Sequence, residues 1–87
     1  MKPTTSGISH EGSRPRRGTH QSEMDSLIDQ YLSWRERCVA VAAAYQEWRA
    51  AAPKEQALAF ARYSVALDRE EEAAIAYEFA AARVAAA

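Results

Sequence analysis

Residues 27–52 read LIDQYLSWRERCVAVAAAYQEWRAAA, a stretch with no glycine and no proline. Within it Leu27, Tyr31, Trp34, Cys38, Val41, Tyr45, Trp48 and Ala52 follow one another at spacings of 4, 3, 4, 3, 4, 3 and 4. That period of 3.5 is the seam of a helix packed nearly parallel or antiparallel to another helix, as in a coiled coil or four-helix bundle. A partner segment follows. Pro53 discourages helical geometry at Ala52 and suits the first turn of a new helix, where its missing N–H costs nothing. Beyond it no breaker occurs up to Ala86. The second segment carries its own 3,4 series: Phe60, Tyr63, Leu67, Glu70, Ala74, Tyr77, Ala81 and Val84.

Two segments of nearly equal length around a tight break predict an all-α fold, an antiparallel two-helix hairpin with helices over 23–52 and 53–86. Its packing residues are expected to be Leu27, Tyr31, Trp34, Cys38, Val41, Tyr45, Trp48, Phe60, Tyr63, Leu67 and Tyr77. The pairs Ser22–Asp25 and Ser26–Asp29, serine followed three residues on by an acid, mark candidate helix starts. A second apolar set in the later segment, Leu58, Val65, Ile75 and Phe79, falls off the seam at about 100° per residue. One neighbouring helix cannot cover both sets, so this one is the candidate partner interface. A second copy of the hairpin, giving a homodimeric four-helix bundle, or another helical protein would cover it.

Composition points the same way. Of the 87 residues, 20 are Ala and only three are Gly and three Pro, against what a turn-rich β-fold needs. Alanine forms helices well but has little side chain to bury, which suits close helix approach better than a thick monomeric core. A chain of 9.6 kDa is already marginal for burying surface alone.

Residues 1–22 differ from the rest. They hold all three glycines, two of the three prolines and no large apolar residue besides Met1 and Ile8, and are expected to form a disordered basic arm. Lys2, Arg14, Arg16 and Arg17 against Glu11 give it a charge of +3, while 23–87 carries seven basic and eleven acidic residues, −4, for the net −1 of the whole. Arg14, Arg16 and Arg17 are the candidate anion contacts, and a nucleic-acid-associated regulator using this arm is the alternative reading. Met24 offers a second possible start of translation. The arm lacks the apolar stretch of a secretory signal, and no apolar run reaches the ~18 residues of a membrane span, so a cytoplasmic protein with no membrane partner is expected.

Catalytic chemistry is not expected. Both histidines, His10 and His20, lie in the arm, so Asp68, Glu70, Glu71, Glu72 and Glu78 have no imidazole beside them and read as a solvated face, with no metal or other cofactor. Glu70, on the seam, is expected to pair with Arg35, Arg37 or Arg49 across the hairpin. Cys38 sits among Trp34, Val41 and Tyr45 and reads as a small apolar packing residue, since no histidine is near to activate it. The expected role is non-catalytic protein–protein interaction through helix faces: self-association, or adaptor or regulatory binding.

Over residues 24–87 the architecture resembles the small helical hairpins of type-VII secretion, which carry Trp-x-Gly at the turn. Trp48-Arg49-Ala50 stands in the matching place, with Ala50 where those proteins have glycine. Their export signal, a tyrosine followed four residues on by an acid, has no counterpart, because Tyr77 is followed by Ala81. The abundance of Ala and Arg suits a GC-rich bacterial genome.

Overall fold

The computed structural model describes the backbone of residues 14–86 and the side chains of 20–86. Two long helices account for nearly all of it, and no strand occurs among the described residues. Helix α1 spans Arg14–Ala50 and helix α2 spans Gln56–Ala86, with a 310 turn at Pro53–Glu55 between them. The all-α hairpin follows.

The break forms where proline dictates. Ala52 is extended, with φ −66° and ψ 155°, the geometry a following proline imposes. Helix α1 tightens as it ends, the Ala51 amide donating to the Trp48 carbonyl at 3.3 Å. The Glu55 amide donates to the Ala52 carbonyl at 2.8 Å and starts the new helix. The Gln56 side chain reaches back to donate to the Ala51 carbonyl at 2.9 Å, satisfying an acceptor the helix end leaves free.

The first helix begins earlier than the expected boundary at residue 23. It starts at Arg14, so Ser22 and Ser26 lie inside α1 and cap nothing. The reason lies at Pro15, which falls in the first turn of α1 as Pro53 falls in the turn that opens α2; proline is tolerated there. Residues 1–13 of the expected arm lie outside the described residues.

The register is constant along the hairpin. Tyr31 meets Tyr77, Tyr45 meets Tyr63, and Trp48 meets Phe60, each pair of numbers adding to 108. The same register sets Ala86 level with residue 22. The turns of α1 before that point therefore extend past the end of α2. The compositional boundary at 22–23 thus marks where α1 gains a neighbour, not where it begins.

The line of closest approach differs from the expected seam by one residue. The only buried residues among those described are Ala44 (9% exposed), Ala59 (8%) and Ala80 (0%). They directly precede Tyr45, Phe60 and Ala81. A methyl group lets two backbones approach closely, and the larger side chains are then displaced to the rims of the contact. Tyr31, Tyr45, Phe60 and Leu67 are in consequence exposed along one rim, while Trp34, Trp48, Tyr63 and Tyr77 lie half-buried between rim and alanine line.

Candidate interaction faces

Aromatic rings form two rungs across the hairpin. At the turn end, Trp48 stacks on Tyr63 at 5.5 Å and 18°, tilts against Phe60 at 5.0 Å, and meets Tyr45 edge-on at 6.1 Å. The Arg49 guanidinium lies over the ring of Tyr45, 5.8 Å from its centre. Toward the open end, Trp34 and Tyr77 are stacked, 5.6 Å apart with 3° between their planes, and Tyr31 is tilted against both. Such pairs contribute about 0.5–1.5 kcal/mol each beyond their buried area. Leu27, Cys38 and Val41 are half-buried along the same helix.

Glu70 takes no arginine partner among the described residues. Its Oε2 accepts a 2.8 Å hydrogen bond from the Trp34 indole N–H. The expected pairing overlooked that an indole buried at one edge needs an acceptor of its own, and that Glu70 faces the helix position Trp34 occupies. The carboxylate at the seam is therefore a partner for an aromatic ring.

The outer surfaces are unusually apolar. Leu58, Val65, Ile75 and Phe79 are all exposed, Phe79 by 63%. Leu58, Val65 and Phe79 lie on the α2 row spaced by sevens, with Glu72 between Val65 and Phe79. A set on α1 escaped the sequence reading: Ile28, Leu32 and Val39, the last 66% exposed. Their spacings of 4 and 7 carry the signal, but they adjoin the seam residues Leu27, Tyr31 and Cys38 and are masked by them in a linear reading.

The two sides of the hairpin differ in character. In an antiparallel pair, equivalent heptad positions of both helices fall on the same side of the plane through their axes. The rim of Tyr31, Tyr45, Phe60 and Leu67 is therefore one face, joined by Ile28, which is exposed beside it. The alanine side is lined differently: a shallow groove there is bounded by Arg37, Ala40, Arg62, Val65, Ala66 and Arg69. The side chains of Arg14, Arg16 and Arg17 lie outside the described residues, although their backbone is helical. Among the described residues no three His, Cys, Asp or Glu side chains gather as a metal site would require, and no helix is long and apolar enough to cross a membrane. No family model matches this chain, and no curated protein or solved structure shows significant similarity to it.

Proposed function

We propose that this protein is a non-catalytic helical interaction protein that works by covering its outer helix faces with another helical surface. One observation carries the reading. The hairpin by itself buries nothing larger than alanine among the described residues, while eleven large apolar side chains stand 36–66% exposed. Isolated exposed aliphatics are ordinary on a protein surface, but rows of them on both helices mark an interaction surface. Fully burying one such side chain contributes about 1.5–3 kcal/mol, so an uncovered hairpin forgoes most of what would hold a domain of this size. The aromatic rungs fix the hairpin's register, and a second layer of helices supplies the missing core. The cytoplasm is the expected setting, and there Cys38 remains a thiol.

Hydrogen exchange of the full chain tests this. At the lowest workable concentration the amides of both helices should exchange through frequent opening, and protection should rise when a covering surface is supplied or the concentration increased. A dilute monomer that is already strongly protected would show that the faces need no cover and would end the reading.

A further inference from the structure

Resting on that reading, we propose that the surface covering the rim face is a second copy of this chain, paired about a two-fold axis along the length of the hairpin so that α1 of each copy lies against α2 of the other. The argument starts from charge. Residues four apart share a helix face, so the rim residues Tyr31 and Tyr45 bring Arg35 and Arg49 to the same side, as the contact of Arg49 with Tyr45 shows directly. On α2 the equivalent step from Leu67 and Ala74 brings Glu71 and Glu78. All four charged side chains are exposed. The rim face is thus bordered by arginine on α1 and by glutamate on α2. Asp68 lies one helical step further round on α2, and Asp25 lies toward the open end of α1.

Only one of the two face-to-face arrangements suits this border. If the axis crosses the helices, α1 faces α1 and α2 faces α2, which in full overlap sets Glu71 level with Glu71 and Arg35 about 6 Å along the axis from Arg35, though Arg49 comes level with Asp25. If the axis runs along the hairpin, α1 faces α2 of the second copy, antiparallel and at the same height. The register that levels residue 31 with 77 then levels Arg35 with residue 73 of the second copy. Glu71 of that copy is two residues away, about 3 Å along the axis, and Glu78 about 7.5 Å. Complementary borders of this kind select partner and orientation, and the like-charge contacts at Arg35 and Glu71 weigh against the alternative.

Size fits as well. The face is about 46 Å long, from the 31 residues of α2, and about 20 Å wide across two helices. That is on the order of 900 Å², where a stable interface buries about 800 Å² per partner. Ile28, Tyr31, Cys38, Tyr45, Phe60 and Leu67 would form the inner layer of the resulting four-helix bundle.

Sedimentation equilibrium of the full chain, with two variants, tests the pairing. The natural sequence should reach twice its 9.6 kDa mass. E71K/E78K and R35E should each weaken dimerisation by about tenfold or more, by setting like charges across both symmetric contacts. An equimolar mixture of the two should form mixed dimers nearly as strong as the natural ones, because each border then meets its opposite. Helicity of each variant is checked by circular dichroism; should E71K/E78K lose it, E71Q/E78Q replaces it, and its dimer should lose most of the salt dependence of the natural one. A monomer at every concentration, an E71K/E78K dimer as strong as the natural one, a mixture that stays dissociated, or unchanged salt dependence in E71Q/E78Q would each overturn the pairing. Exchange protection gained from a different protein alongside any of those results would leave the interaction reading standing and remove only the second copy.

Discussion

The turn end and the open end of the hairpin are built from the same kind of rung but closed differently. At the turn end four rings, Tyr45, Trp48, Phe60 and Tyr63, pack on one side of the line that Ala44 and Ala59 occupy, and the chain connection holds them in register. At the open end three rings, Tyr31, Trp34 and Tyr77, pack beside Ala80, and the rung is pinned by a carboxylate, Glu70, on the Trp34 indole. Beyond that rung α1 soon leaves its neighbour, and Glu23 Oε1 is shielded from water with no hydrogen-bond partner among the described residues. The contrast shows what fixes register in a helix pair with little core. Near a tight connection apolar rings suffice, because the chain itself limits sliding. Farther away a directional hydrogen bond takes over, since a stack of rings alone tolerates a shift along the axis.

Substitutions at the two ends sharpen that contrast. The largest effect is expected at the turn end, where Trp48→Ala removes the ring that touches Tyr45, Phe60 and Tyr63. It should cost about 3 kcal/mol in urea unfolding at fixed protein concentration. Ala80→Leu places a large side chain at the most buried position of the hairpin and should cost about 1–3 kcal/mol. Amide exchange should report its effect mainly in the open half; an equal loss of protection around Trp48 would show that the two rungs open as one unit. Trp34→Phe keeps a ring but strips Glu70 of its donor, for a loss of about 1–2 kcal/mol. Adding Glu70→Leu to it should recover most of that loss, since removing both polar partners is nearly neutral. No recovery in the double variant would mean that the ring shape, and not the hydrogen bond, closes the open end. The smallest effect is expected from Gln56→Ala, about 0.5 kcal/mol, through the Ala51 carbonyl it leaves to water. Thermal melting would detect it as a small shift confined to stability, with helicity unchanged.

Much of the fold was legible in one dimension because its determinants are local. The uninterrupted 3.5-residue period of Leu27–Ala52, the lack of breakers and the lone body proline at Pro53 each act within a few residues of chain. The start of α1 was harder to read. Glycine and serine near residues 12–22 favour loops, whereas Pro15 is well placed in a first helical turn, and composition does not rank these preferences. For the candidate faces, Leu58, Val65, Ile75 and Phe79 stood out as off-seam residues, while Ile28, Leu32 and Val39 were hidden beside larger seam neighbours.

The amino-acid sequence by itself determined that two helices form, where they part, and which side of each is apolar, because propensity, periodicity and proline stereochemistry operate through the chain's own nearest turns. Only the tertiary structure decided how the helices are rotated against each other. Ala44, Ala59 and Ala80 took the line of contact and Tyr31 and Tyr45 moved to the rim, because a methyl group is small enough to let the facing helix come close where a ring is not. It also decided that Glu70 answers Trp34: a hydrogen bond between residues 36 apart depends on register, which neither helix encodes alone.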